Sequence, residues 1–598
     1  MIPRSRLRQI SPFLCGALLA GLSLPLLTRA QTIPQEVPPR RCTQLADGFS
    51  VNLPLPREPR LPWTQRWWTR LFDSGVKWVR LGQYENTSEK TGWDWVEQSP
   101  GVYKVLPEVD EAVRSLVENG ISIEMQLCYS NPLYQGDPRS RPKYIEPAPA
   151  SIGPQDKPPN PIFKGLEAED EIEGFLNYAR FMVGHFKGKV RAWEFWNEPN
   201  IEYWQPHVES NEQLAVKGRQ YGRVLCRFAD AVHNVDPQSK VIFGGTSSID
   251  PSFVMAAIAS CPSKIDVMAY HAYPGYGSNH APEEVDDLVG AQALREAVLR
   301  FPGIRKDIEF WDNEWNVIPN WKNSNESVQA RYLSRYFLEA KAYGVRGFLW
   351  EFIPGTDGNE NDQYGLLHGE TKSADAFQPR EAYRAFEVTS ALFGQTERDL
   401  SCGTLNDRDP RVPEKYSHGQ FREYCFRDTV SGNPIYAVWL AVYAAPDDHF
   451  APVTAWIPIP DRQIQNPLVI DIRTGKITPV AWSDKEARTI QVELKDGILA
   501  VADTSYLNWP RALEAPGPLQ ARKHGDQVLL EWKSDGIAEA FEIQRSMDWG
   551  DWQETARVAA GATTYSEKLP AGHHISYRVR SLSNGTASAW SNPAWIDN

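Results

Sequence analysis

Eight apolar, strand-like runs recur through the first 395 residues, and helix-like segments separate them. The runs are Phe49–Leu53, Val76–Leu81, Ile121–Cys128, Val190–Glu198, Val241–Gly244, Ile265–Tyr270, Ile308–Asp312 and Val345–Trp350. The clearest helical segments are Leu106–Asn119, Glu169–Phe186, Glu212–Val235, Glu283–Phe301, Ser327–Tyr343 and Pro379–Leu392. Parallel neighbours need a crossover long enough to hold a helix. Eight such units predict an α/β fold, a (β/α)8 TIM barrel over residues 45–395. In that fold the chemistry sits at the C-terminal ends of the strands.

From about Thr396 the pattern changes to short alternating runs broken by Ser431-Gly-Asn-Pro434 and Arg473-Thr-Gly475, which predicts a β-sandwich over 396–510. Glu514-Ala-Pro-Gly-Pro518 reads as a linker. Residues 515–598 carry Val528-Leu-Leu-Glu-Trp532, Phe541-Glu-Ile-Gln-Arg545 and Tyr577-Arg-Val-Arg580. An early core Trp532 and a late core Tyr577 at that spacing resemble a fibronectin type III module, which implies a spacer or binding domain.

Arg4, Arg6 and Arg8 precede the apolar stretch Phe13–Leu27, which is broken by Pro25 and short for a bilayer span. With Ala30 ending a cleavage site, residues 1–30 read as a secretory signal and 31–44 as a Pro-rich leader. A retained anchor is the alternative. The expected location is secreted, extracellular or periplasmic, with no membrane contact after cleavage. The net charge of −13 argues against nucleic acid and against an anionic membrane surface. Six cysteines remain once Cys15 leaves with the signal, an even count that permits disulfides, with Cys402–Cys425 the preferred pair. No CxxC or Cys/His cluster occurs at zinc spacing, so neither a metal nor another cofactor is expected.

The stretch from Val190 to Trp204 contains Trp196-Asn-Glu-Pro-Asn200. Pro199 has no N–H for a ladder, so the strand should stop near Glu198 and leave a carboxylate at its end. Trp196 and Trp204 are expected as walls beside it, since aromatic walls strip water from a carboxylate and favour proton donation. Strict alternation would send Asn197 and Glu198 to opposite faces, so both reach one pocket only if the backbone leaves strand geometry. The seventh run delivers a second acid, Glu314, within Phe310-Trp-Asp-Asn-Glu-Trp-Asn316. Two carboxylates facing each other across a pocket suit cleavage of a glycosidic bond.

These motifs resemble the retaining glycoside hydrolases of clan A, nearest to family 39. The resemblance covers residues 45–395 and extends to Trp93-Asp-Trp-Val-Glu-Gln-Ser-Pro-Gly-Val-Tyr103. It departs at the seventh strand, where Asn313 and Trp315 flank Glu314 and that family more often has Thr and Phe. The resemblance implies that Glu198 is the acid/base, Glu314 the nucleophile and Asn197 a partner of the substrate 2-hydroxyl. It implies that Arg80 keeps Glu314 ionised, that His271 and Tyr273 orient the site, and that Trp350 floors the sugar subsite. Tyr129, Asn131 and Tyr134 are further substrate-contact candidates. Residue type alone also fits a salt bridge at Arg80, satisfied buried groups at His271 and Tyr273, and a core Trp350. Asp312, Glu351 and Glu202 sit outside any motif and rank below Glu314.

The implied function is a secreted retaining hydrolase acting on O-glycosidic, β-linked bonds of oligo- or polysaccharides. A carbohydrate-binding or adhesion protein on the same scaffold, or a transglycosylase with the same residues, are the alternatives. Residues 131–165 would form a lid or wall over the cleft.

Overall fold

The computed structural model describes residues 33–53, 68–82, 90–135, 165–204, 208–274, 281–319, 324–353, 364–368, 377–402, 421–446 and 451–597, with short gaps inside some spans. The expected signal segment and most of the 131–165 loop lie outside the described residues.

Eight parallel strands close into a barrel in chain order: β1 (Ser50–Asn52), β2 (Trp78–Leu81), β3 (Ser122–Leu127), β4 (Val190–Phe195), β5 (Lys240–Ser247), β6 (Val267–His271), β7 (Glu309–Trp315) and β8 (Val345–Leu349). The surrounding helices include α1 (Pro107–Glu118), α2 (Glu169–His185), α3 (Asn211–Val235), α4 (Pro251–Ile258), α5 (Asp286–Arg300), α6 (Glu326–Ala342) and α7 (Glu381–Phe393). A strand covered on both faces reads as a continuous apolar run, which is why periodicity found the strands. Their ends were less legible. β7 runs on to Trp315, so Glu314 lies within the strand rather than beyond it. α5 starts at Asp286, and Glu283 before it serves a different purpose, described below.

Side-chain alternation stacks the barrel interior in layers. Trp78, Ala192, Ile242, Val267, Ala269, Trp311 and Phe348 form an apolar plug. Trp311 lies edge-on to Trp78 at 5.2 Å and tilts against Phe348 at 5.4 Å. Two residues further along their strands, Arg80, Glu194 and Asn313 form a polar layer above the plug.

The second domain has a six-stranded sheet: β9 (Thr396–Arg398), β10 (Phe421–Asp428), β11 (Pro434–Leu440), β13 (Pro467–Asp471), β14 (Ile477–Pro479) and β16 (Leu499–Asp503), ordered β9-β10-β11-β16-β13-β14. β12 (Val453–Pro458) and β15 (Thr489–Leu494) pair separately. Period-two alternation divides the large sheet's side chains between two cores. Tyr424, Phe426, Ile435, Ala437 and Trp439 join the core of the barrel helices. Cys425, Tyr436, Val438 and Leu440 join the core shared with β12 and β15. The leader is not loose: Gln35 and Val37 exchange main-chain hydrogen bonds with Ile477 and Gly475 at the β14 edge, both 2.9 Å.

Helix α6 is buried on nearly every side between barrel and sandwich. Its polar residues are therefore paired, as burial requires. Arg335 Nε donates to Glu283 Oε1 at 2.8 Å, Trp439 Nε1 donates to the same oxygen at 2.6 Å, and Arg331 Nη1 donates to Asp496 Oδ2 at 2.6 Å. Burial alone would raise the Glu283 carboxyl, but Arg335 and Trp439 hold it below its ordinary value.

Residues 520–597 form a second sandwich. One sheet holds β17 (Gln520–His524), β18 (Gln527–Glu531) and β21 (Thr564–Lys568). The other holds β19 (Ala540–Met547), β20 (Gln553–Ala559), β22 (His574–Ser583), β23 (Thr586–Ala587) and β24 (Ala594–Asp597). Trp532 and Tyr577 are core residues, as the spacing predicts. This domain rests on α1, through an Arg578–Glu118 ion pair and Arg114 donating to the Gly550 carbonyl at 3.3 Å. Cys402 and Cys425 form the expected disulfide. A second disulfide, Cys226–Cys261, ties α3 to the loop after α4, and Cys42 and Cys128 are buried thiols outside the two disulfides.

Replacing Glu283 with Ala leaves the Arg335 guanidinium buried without its carboxylate. A loss of about 3–5 kcal/mol is expected, read as a lower urea midpoint in tryptophan fluorescence. A midpoint within error of the parent protein would show that this pair, and the Trp439 bond to the same carboxylate, do not hold α6 in place.

Candidate active site

β4 ends at Phe195, and the next residues leave strand geometry: Trp196 has φ 71° and Glu198 φ 39°. Left-handed backbone at two non-glycine residues breaks the alternation, and Asn197 and Glu198 both turn into the barrel mouth. The Glu198 N–H donates to the Gly245 carbonyl at 2.9 Å, anchoring the turn on β5. There the register with β6 slips between Phe243 and Thr246. The bulge passes through Gly245, where a Cβ would stand 2.1 Å from His271 Nε2 and 2.6 Å from Asn313 Oδ1. Only glycine fits so close an approach.

β7 carries a matching irregularity, with Asp312 opposite Gly347 but Trp315 opposite Leu349. The extra residue lets consecutive side chains enter the interior. Asn313 Nδ2 donates to Glu124 at 2.9 Å and to Glu194 at 3.0 Å. Glu314 turns to Arg80, whose Nη1 donates to Oε1 at 2.6 Å, and Tyr273 OH donates to Oε2 at 3.1 Å.

Arg80 is fully buried and serves three elements at once. Beside Glu314 it donates from Nε to Glu194 Oε2 at 2.7 Å and from Nη2 to Asn197 Oδ1 at 3.2 Å. Its Nη1 also reaches Asn52 Oδ1 at 3.3 Å. Burial would lower its pKa, but Glu194, Glu314 and Glu124 hold it well above the ordinary value. Glu194 accepts further bonds from Gln126 Nε2 at 2.9 Å and the Gly245 N–H at 2.9 Å. Glu124, buried beside Glu194, is pushed well above the carboxylate range by burial and by that neighbour.

Burial also raises the Glu314 carboxyl, opposed by His271 and Arg80. His271 Nδ1 lies 3.0 Å from Glu198 Oε1 and 3.5 Å from Glu314 Oε2. Burial would lower the imidazole, but Glu314 and Glu198 hold it above its ordinary value. Glu198 and Glu314 side chains keep 15% and 9% of their surface exposed, so the pair faces solvent across the mouth. One carboxylate oxygen from each, with a His271 nitrogen, lie within 4.8 Å of one another. Three such atoms could ligate a cation, but the Arg80 guanidinium, bonded to Glu314, already places positive charge beside them and opposes a second cation.

The structure thus brings Arg80, Asn197, Glu198, His271, Tyr273 and Glu314 into one constellation. Trp350 ends β8 half-buried, its carbonyl bonded by Asn316 Nδ2. Asp312 accepts from the Ala272 N–H at 3.2 Å, Glu351 is buried, and Glu202 is exposed.

Four expectations need correction. Trp196 and Trp204 are fully buried and pack edge-to-face at 4.9 Å, with Trp196 Nε1 donating to the Tyr203 carbonyl at 2.7 Å; they are core and not cleft walls. Asn131 is a brace: its Nδ2 donates to the Trp93 and Glu97 carbonyls at 3.2 and 2.9 Å, and its Oδ1 accepts from the Leu133 N–H. Tyr134 stacks on Trp93 and donates to Glu97 at 2.6 Å, closing the hairpin of the 93–103 segment. Tyr129 is 7% exposed, with its ring against Trp196 at 5.9 Å, so it lines the core rather than the mouth.

Sequence reasoning missed Glu194, Glu124, Gln126, Asn313 and Asn52. The available signal was parity. A charged residue within an apolar, doubly covered strand must face a partner, and Glu194 stands two residues after the plug residue Ala192.

No protein-family model matches the chain. Among solved structures it is similar to a family 39 glycoside hydrolase from the gut symbiont Bacteroides cellulosilyticus WH2, at 17% identity, covering 78% of this chain and 83% of that one, with a TM-score of 0.55. Alignments also exist to the catalytic domain of GH30 xylanase C from Talaromyces cellulolyticus, at 11% identity, 78% and 98% coverage and TM-score 0.49. A glucosidase from Croceicoccus marinus aligns at 15% identity, 92% and 98% coverage and TM-score 0.44. The first likeness establishes a shared fold.

Arg80→Met removes the positive charge that opposes the effect of burial on Glu314. The Glu314 carboxyl should then titrate at a higher pH than in the parent protein, followed by isotope-edited infrared spectroscopy. An unchanged midpoint would mean that Arg80 does not control its ionisation.

Proposed function

We propose that the protein is a retaining glycoside hydrolase that cleaves β-linked oligo- or polysaccharides by double displacement. The observation carrying this reading is that one carboxylate oxygen of Glu198 and one of Glu314 come within 4.8 Å of each other across the mouth, which leaves the two carboxyl groups close together. Retention needs carboxyl groups about 5–5.5 Å apart, whereas inversion needs about 6.5–9.5 Å to admit a water.

In the first step a Glu314 oxygen attacks the anomeric carbon as the bond to the leaving oxygen breaks. Glu198 gives its proton to that oxygen. In the second, Glu198 takes a proton from water, the water oxygen attacks the anomeric carbon, and Glu314 departs as a carboxylate. Arg80 and Tyr273 hold Glu314 by both oxygens, so one lone pair faces the sugar while charge is steadied at the other positions. His271 donates to Glu198 as it becomes a carboxylate after the first proton transfer. Asn197, held by Arg80 and Gln126 through Oδ1, has its Nδ2 available to a sugar hydroxyl.

The reading includes secretion, carried by the basic and apolar residues of the 1–30 segment. It also treats 515–598 as a fibronectin type III-like module, on the Trp532 and Tyr577 core and the two-sheet arrangement.

Glu314→Gln should lower turnover of aryl β-xylosides and β-glucosides by about 10^4-fold or more. A 2-deoxy-2-fluoro aryl glycoside should label Glu314 in the parent protein, and the first product seen by NMR should be the β-anomer. An inverted product, or a label on another carboxylate, would sink the double-displacement reading. Sugar binding without turnover would favour the binding-protein alternative, and transfer to added sugars over water the transglycosylase.

A further inference from the structure

We infer that the ammonium of Lys217 is a positioning group for proton donation: from helix α3 it fixes the turn on which Glu198 stands. The inference rests on the reaction proposed above and names what holds its acid in place.

Lys217 lies in the second turn of α3 and is 2% exposed. A buried ammonium is costly unless its protons are used. Its Nζ donates to the carbonyls of Asn200 at 3.1 Å and Ile201 at 2.5 Å. These two residues follow Pro199 directly and belong to the turn that begins at Trp196. The turn has reason to need an external tether. Two of its non-glycine residues, Trp196 and Glu198, have positive φ. Such conformations cost of order 1–3 kcal/mol each and persist only where the surroundings over-determine them.

The surroundings do so from three directions. Main-chain bonds run from Glu198 N–H to Gly245 and from Ile201 N–H to Glu198, at 2.9 and 3.1 Å. The Asn200 amide brackets Ser247, accepting from its N–H and donating to its carbonyl, both at 2.9 Å. Those contacts tie the turn to β5, inside the barrel wall. Lys217 supplies the opposite tie, from the outer helix layer. The close packing of α3 on α4 brings that layer within reach: at Gly218 and Gly222 a Cβ would stand 2.4 and 2.3 Å from the Phe253 and Ala257 carbonyls. Burial lowers the Lys217 ammonium to about 8, with Glu202 and Asp250 opposing the shift. It is charged at neutral pH and is the stronger donor for that.

Loss of this tether should act on one carboxylate only. Glu314 stands on β7 and is fixed by Arg80 and Tyr273, neither of which touches the turn through main chain. The consequence separates the two steps of bond cleavage. A misplaced acid slows departure of poor leaving groups, which need the proton. It spares leaving groups acidic enough to depart as anions.

The test compares Lys217→Met with the parent protein, using aryl β-glycosides that run from 2,4-dinitrophenyl to phenyl. The phenyl kcat/KM should fall about 10–100-fold, as a displacement near 1 Å would cause, and the dinitrophenyl value should stay within about 3-fold. Glu198→Ala, measured alongside, sets the limiting steepness of that dependence. Lys217→Gln, one bond shorter but with a neutral N–H donor, should fall between the parent protein and Lys217→Met, and it decides the matter if Lys217→Met loses its thermal transition. An equal loss for every leaving group, or no loss, overturns the role of Lys217 while leaving the glycosidase reading intact. Absence of turnover and of Glu314 labelling in the parent protein overturns the glycosidase reading, and this role with it.

Discussion

One cation placed between two acids organises the candidate site. Arg80 holds Glu194 with one nitrogen and Glu314 with another, at 2.7 and 2.6 Å, in the layer directly above the aromatic plug. The guanidinium could not be buried unpaired, and each carboxylate takes a charged hydrogen bond from it. Sharing the charge has a consequence for chemistry. A carboxylate fully neutralised by its own Arg would be stable and sluggish as a nucleophile. Glu194 takes part of the Arg80 field, so in the proposed double displacement Glu314 would not be quenched by a full partner charge. Glu124 beside Glu194 is pushed well above the carboxylate range by burial and by that neighbour. Asn313 bonds both acids from one amide and fixes which oxygens face each other.

The layering also explains which parts of the molecule the sequence disclosed. Period-two inward runs such as Trp78/Arg80, Ala192/Glu194 and Trp311/Asn313 pass from plug to polar layer without leaving the strand. The barrel was legible because strands buried on both faces must be apolar almost throughout. Glu198 and Glu314 were legible because Pro199 and the aromatic neighbours interrupt that pattern. The bulges at Gly245 and between Asp312 and Trp315 were not legible. They depend on which residue opposes which across a ladder, and a single chain does not state its register.

The misplaced aromatics have a related cause. Trp196 and Trp204 flank the acid in sequence, and flanking residues on an extended strand would line the same mouth. The left-handed step at Trp196 instead turns its ring outward against Phe175, Phe195 and Trp204, and Trp204 packs in turn on Tyr221. Asn131 and Tyr134 failed for another reason. Residues after a strand can serve the pocket or the loop that walls it, and their residue types suit both. Here Glu97 collects Trp93 Nε1, the Gly101 N–H and Tyr134 OH at 2.7, 2.7 and 2.6 Å, so these side chains are consumed in building the wall.

The two appended domains meet the barrel at different places, and topology assigns them different work. The sandwich grips α6, the crossover between β7 and β8, by the Arg331–Asp496 ion pair and by Arg335 Nη1 donating to the Val442 carbonyl at 2.8 Å. Any slip of that helix would pass to β7 and so to Glu314. The last domain holds α1 at Arg114 and Glu118. α1 runs antiparallel to the strands, so Glu118 lies where β3 begins, at the end of the barrel away from the mouth. The contact of that domain with the barrel therefore lies behind the mouth, at the opposite end from Glu198 and Glu314.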